Sequence, residues 1–205
     1  MEAEAFAIDG ARSARISRTT KETDIQIALD LDGTGRTRID TGVPFFDHML
    51  DAFGRHGLVD LDVHAKGDIE VDAHHTVEDT GIVLGQAVAT ALGDKRGIVR
   101  FGTSFVPMDE SLVQASLDIS GRGQLHYAVD VPLQMLGIFD TSLAKEFFIA
   151  FATNAGITLH VRELAGENAH HLVEASFKAV GRALCDATRV NPRIAGELPS
   201  TKGAL

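Results

Sequence analysis

His74-His75-Thr76-Val77-Glu78 and His170-His171-Leu172-Val173-Glu174 are the two stretches on which the reading of this chain turns. They share the pattern His-His-x-x-Glu and lie 96 residues apart in a chain of 205. Each opens an apolar run of helical period, predicting long helices over 74–92 and 170–188. On a helix, residues three and four apart share a face, so each glutamate reaches both histidines before it. The adjacent histidines diverge by about 100°, and diverging imidazoles suit two metal ions better than one. A single His-His-x-x-Glu is unremarkable; two copies in a repeated frame point to metal binding.

Working outward, the repeat covers most of the chain. His56-Gly57-Leu58-Val59-Asp60-Leu61-Asp62-Val63 matches Asn154-Ala155-Gly156-Ile157-Thr158-Leu159-His160-Val161. Alternation predicts strands from Arg12 to Asp40, with Asp32-Gly33 and Gly35 as a hairpin turn. A helix follows from Val43 to Arg55, opened by Pro44, then a strand from Leu58 to Ala65. The second half predicts strands over Val99–Val106, Leu112–Ile119 and Leu125–Val129, a helix over Thr141–Asn154 and a strand over Gly156–Leu164. The expected organisation is an N-terminal extension (1–11), two half-domains (12–94 and 95–190) and a C-terminal tail (191–205).

His48 precedes the first motif by 26 residues, and Glu146 precedes the second by 24. Each half therefore offers a further ligand on its shorter helix. No thiolate is offered, which disfavours a structural zinc site; imidazole with carboxylate suits Mn, Fe, Co or Zn. His56, His64, His126 and His160 lack such company and read as surface or hydrogen-bonded histidines.

Composition narrows the classes. The formal net charge of −10 argues against a nucleic-acid partner, although a local basic pocket can still take a small phosphate. Hydrophobic residues make up 44% of the chain, enough for a sizeable core. No apolar run approaches the roughly 18 residues of a membrane span, and residues 1–10 do not read as a signal peptide. The single cysteine, Cys185, reads as a small buried hydrophobe; with no intramolecular disulfide possible, a reducing cytoplasmic location is expected.

The stretch Asp40-Thr41-Gly42-Val43-Pro44-Phe45-Phe46-Asp47-His48-Met49-Leu50 resembles the imidazoleglycerol-phosphate dehydratase family. So do residues 72–79 and 168–175 around the two motifs, and Pro199-Ser200-Thr201-Lys202-Gly203. The resemblance runs from about Arg12 to Gly203. It implies an α+β fold of internally duplicated half-domains related by pseudo-two-fold symmetry, with helices packed between two mixed sheets, like ribosomal protein S5 domain 2. It implies a shell of twenty-four subunits, with two Mn²⁺ sites per subunit. One would be held by His48, His75, Glu78 and His171, the other by His74, His170 and Glu174. Glu146, where many members have His, is expected to complete the second. The resemblance also places Arg100, Arg122, Ser200 and Lys202 on a substrate phosphate and makes Glu22 the catalytic carboxylate.

The implied reaction is dehydration of imidazoleglycerol phosphate to imidazole-acetol phosphate in histidine biosynthesis, through a metal-stabilised imidazolate. A carboxylate such as Glu22 suits the accompanying proton transfers, and guanidinium forks with a lysine suit a phosphate dianion. No organic redox cofactor is required, because dehydration is redox-neutral. Two other readings use the same ligands. A dinuclear metallohydrolase of phosphate esters would need its metals about 3.5–4 Å apart. A metal-buffering or shell-forming protein would need neither Glu22 nor the basic residues.

Overall fold

A computed structural model of the chain describes residues 8–205; residues 1–7 of the expected N-terminal extension lie outside the described residues. The first half runs β1 (Ser13–Thr19), β2 (Thr23–Asp30), β3 (Thr37–Asp40), α1 (Pro44–Gly57), β4 (Asp60–Gly67) and α2 (His74–Leu92). The second half runs β5 (Phe101–Met108), β6 (Ser111–Asp118), β7 (Gln124–Ala128), a short ribbon of β8 (Met135–Leu136) and β9 (Phe139–Asp140), α3 (Leu143–Ala155), β10 (Thr158–Ala165) and α4 (Ala169–Thr188). A 3-10 turn over Pro192–Ile194 leads into the tail.

The two sheets have one topology. Their strand orders are β1-β2-β4-β3 and β5-β6-β10-β7. In each, the first three strands are antiparallel and the last joins its neighbour in parallel. Alternation puts one face of each sheet inward: Ile25, Ile27, Leu29, Leu61 and Val63 in the first, Val113, Ala115, Leu117, Leu159 and Val161 in the second. Burying each large aliphatic side chain of that set contributes about 1.5–3 kcal/mol.

The helices fill the space between the sheets. α2 lies on β1, β2 and β4, and α4 lies on β5 and β6. The main contacts between helices cross between halves, α1 against α4 and α3 against α2. Phe46, Phe147 and Phe177 meet there, with the Phe147 and Phe177 rings stacked at 4.9 Å. Each crossing is close enough to require glycine. A Cβ on Gly181 would stand 2.5 Å from the Phe53 carbonyl oxygen, and one on Gly85 would stand 2.6 Å from that of Phe151. Gly181→Ala is expected to overpack the crossing by about 2–3 kcal/mol. Thermal unfolding at fixed protein concentration should then show a Tm about 4–12 °C lower; an unchanged Tm would mean that the crossing has room.

The structure corrects three sequence expectations. Asp32-Gly33 and Gly35 turn the chain but close no hairpin, because β4 lies between β2 and β3. The turn is instead tied to β4: the Asp60 carboxylate accepts the amides of Thr34 (2.8 Å) and Arg36 (2.9 Å) and pairs with the Arg36 guanidinium. Leu58 does not start a strand. It caps α1 in the left-handed conformation (φ 54°), the place glycine takes at Gly156 (φ 64°). Cys185 is half-buried rather than buried, because it lies at the edge of the apolar face of α4; partial burial raises its thiol pKa.

Candidate active site

His48 lies on the first turns of α1, whose start is fixed by Pro44. His170 and His171 open α4, where the Asn168 side chain accepts their amide N–H groups at 2.9 and 3.3 Å. The α1–α4 crossing then brings His48 to Glu174. One Glu174 oxygen lies 3.2 Å from His48 Nε2 and 3.0 Å from His170 Nε2. Lys178, one turn on, holds the other oxygen at 2.6 Å. Burial pushes the Glu174 pKa up, but Lys178 and the histidines outweigh it and the net shift is down. The donor atoms of His48, His170 and Glu174 lie within 4.8 Å of one another, the one such group of three among the described residues.

The repeat equivalent is looser. His74 Nε2 lies 3.5 Å from Glu78, with both side chains well exposed. Glu146 sits half-buried in the first turn of α3, ten residues before the left-handed cap, as His48 does in α1.

The second histidine of each motif points elsewhere, as expected for adjacent residues on a helix. The His74 and His75 rings lie at 83° to each other, and those of His170 and His171 at 79°. His75 Nδ1 lies 3.1 Å from both Asp68 oxygens, and His171 Nδ1 lies 2.7 Å from Glu110. A carboxylate on Nδ1 fixes the ring and leaves Nε2 as the donor, the usual support for a metal-binding histidine. The Asp68 hydrogen bond raises the His75 pKa. Its counterpart from His171, with the Asn168 amide and the Ser111 hydroxyl, holds Glu110 far below the ordinary carboxylate range. The donor set fits a divalent metal. Within one chain, however, His48 stands with His170 and Glu174, and is not gathered with His75, Glu78 and His171.

The phosphate candidates form a separate cluster. Arg100 reaches Asp118 through Nε (2.7 Å) and Nη2 (3.2 Å), and the Pro199 carbonyl through Nη1 (2.8 Å). Three of its five N–H donors are therefore engaged. The Ser200 hydroxyl donates to the Ala204 carbonyl at 2.8 Å and accepts the Lys202 amide at 3.2 Å. The tail ends against Gly121, beside the exposed Arg122. The Arg100 amide bonds to Ala187 near the end of α4. Seventeen residues of helix separate Ala187 from His170, about 25 Å.

Glu22 is exposed on the turn between β1 and β2, and among the described residues its carboxylate makes no hydrogen bond. Its negative charge acts on His75. Sequence reasoning missed Asp68, Glu110 and Lys178, which hold His75, His171 and Glu174. Glu110-Ser111 at the tip of the β5–β6 turn answers Glu22-Thr23 at the tip of β1–β2, so the repeat carried a signal for Glu110. The four histidines set aside stay outside the cluster: His126 and His160 stack at 4.2 Å, His64 lies 3.7 Å from Asp40, and partial burial followed by Lys178 and Arg182 lowers the His56 pKa. No helix among the described residues is long and apolar enough to cross a membrane.

Comparison with known proteins gives consistent findings. The family model for imidazoleglycerol-phosphate dehydratase matches residues 41–184. The chain is 60% identical over 198 residues to imidazoleglycerol-phosphate dehydratase of Gluconacetobacter diazotrophicus, covering 97% of this chain and 100% of that one. Against the Paracoccus denitrificans protein of the same name it is 59% identical over 194 residues, covering 95% and 100%. Among solved structures it is similar to the Staphylococcus aureus imidazoleglycerol-phosphate dehydratase (TM-score 0.79, 39% identity, 87% of this chain and 99% of that). It is also similar to that of Pyrococcus furiosus in complex with (S)-C348 (TM-score 0.80, 39% identity, 93% and 100%).

Proposed function

Because the chain belongs to the imidazoleglycerol-phosphate dehydratase family, a family of hydro-lyases of histidine biosynthesis, we propose that it dehydrates D-erythro-imidazoleglycerol phosphate to imidazole-acetol phosphate using Mn²⁺. The observation that carries the metal dependence is the convergence of His48, His170 and Glu174, with His75 and His171 each offering Nε2 because a carboxylate holds Nδ1.

The metal ligands would be His48, His74, His75, Glu78, Glu146, His170, His171 and Glu174. Bound Mn²⁺ supplies Lewis acidity that lowers the pKa of the substrate's imidazole N–H. Asp68 and Glu110 hold His75 and His171 in the orientation needed. Arg100, Arg122, Ser200 and Lys202 hold the phosphate and so fix the carbon chain relative to the base. Glu22 takes the proton from carbon and returns one to the departing hydroxyl, so that water leaves and the enol tautomerises to the ketone.

A three-carbon phosphate ester cannot bridge the roughly 25 Å of α4 between the His170 end and the Arg100 end. That separation supports a site completed between copies of the chain, in the twenty-four-subunit shell that the resemblance implies, and most of the metal ligands are exposed enough to be shared. A cytoplasmic location fits the single cysteine.

The test is incubation of purified protein and Mn²⁺ with imidazoleglycerol phosphate, following both ketone and inorganic phosphate. Imidazole-acetol phosphate with its phosphate ester intact is expected. Release of inorganic phosphate would instead favour the metallohydrolase.

A further inference from the structure

Glu22 must be held at a fixed place by something other than its own carboxylate, which makes no hydrogen bond among the described residues. The backbone beneath it is well anchored. The Asp79 carboxylate, buried one residue after Glu78, receives the Arg18 guanidinium at 2.7 Å and the Thr23 hydroxyl. A carboxylate paired with a guanidinium only accepts, so the Thr23 hydroxyl must spend its one proton on Asp79. Thr23 Oγ1 then accepts from Thr20 Oγ1, 3.2 Å away. With its own proton spent, Thr20 Oγ1 accepts the amides of Glu22 (3.1 Å) and Thr23 (2.9 Å). Thr20 Oγ1 has the Thr23 carbonyl as a second, longer acceptor at 3.5 Å, and the shorter contacts make a relay from α2 to the Glu22 backbone.

The second half supplies the contrast. At the repeat position of Asp79 stands Ala175. There the β5–β6 turn is tied to α4 by Glu110 itself, which accepts from His171 at 2.7 Å and from the Asn168 amide at 2.9 Å. Glu110 is thereby fully engaged. In the first half Asp68 takes the histidine instead, which frees Glu22 and leaves its turn in need of another tether. We infer that Asp79, acting through Thr23 and Thr20, is a positioning residue that fixes Glu22 relative to the metal-ligand turn of α2. The inference rests on the assignment of Glu22 as the acid/base.

The experiment compares Asp79→Asn, Thr23→Val and Thr23→Ser, each alone and combined with Glu22→Gln, in the assembled Mn²⁺ enzyme. Displacing a reacting group by about 1 Å costs as much as 100-fold, so Thr23→Val and Asp79→Asn should lower kcat about 10- to 100-fold with KM and metal content little changed. Thr23→Ser, which keeps the hydroxyl, should restore most of the rate. In the Glu22→Gln background neither variant should lower the residual rate further. A wild-type kcat in Thr23→Val, or the same proportional loss with Glu22 already removed, would overturn the inference. Should Asp79→Asn not assemble, Thr23→Val alone decides. Full turnover by Glu22→Gln would instead remove the assignment beneath the inference, a result read separately from the other variants.

Discussion

Glu22→Gln is expected to keep its metal and its particle size while kcat falls by about 10²- to 10⁴-fold, the range contributed by a positioned acid or base. The substitution is nearly isosteric and lies on an exposed turn where the carboxylate makes no hydrogen bond among the described residues, so folding has little to lose. What disappears is a group that can both accept and return a proton. Turnover measured beside metal analysis and light scattering separates these effects. Full turnover in this variant would remove Glu22 from the mechanism, and a collapse of assembly would make it structural.

Removing the metal should have the second large effect. Lewis-acid stabilisation is worth several kcal/mol, and about 4 kcal/mol corresponds to a thousandfold in rate. Chelator-stripped protein should therefore lose at least about 10³-fold in turnover and recover on addition of Mn²⁺. The ligands also predict a change in size. His48 and His170 side chains are 50% and 42% exposed, against 7% for Glu174, so most of the proposed ligands stand at the surface of one chain. If a second copy completes the set, metal binding contributes to association and chelation should shift sedimentation toward smaller species. Metal-free protein with full activity and full size would contradict the proposed function at its root.

The repeat made most of this legible in the sequence. Two His-His-x-x-Glu motifs located both long helices, and the divergence of adjacent histidines on a helix follows from 3.6 residues per turn. Strand pairing was less accessible. Alternation in residues 37–40 shows a strand but not its neighbour, so the insertion of β4 beside β2 escaped the sequence reading. Asp68 escaped it because an orienting carboxylate comes from a loop, at a separation that no helical or strand period predicts, whereas Glu110 was signalled only by its match to Glu22 in the repeat. The 25 Å between the His170 and Arg100 ends of α4 was equally hidden: motifs identify residues, whereas distance along a helix decides which of them can share one substrate.

The glycine crossings carry a consequence for a half-length chain. α1 packs on α4 and α3 packs on α2, with Gly181 and Gly85 admitting a neighbouring backbone that belongs to the other half. A lone half would expose the apolar flank of its short helix and find no mate for its glycine. The smallest unit that satisfies both crossings is two halves. A half-length chain would therefore have to pair with a second copy of itself before either its short helix or its crossing glycine was covered.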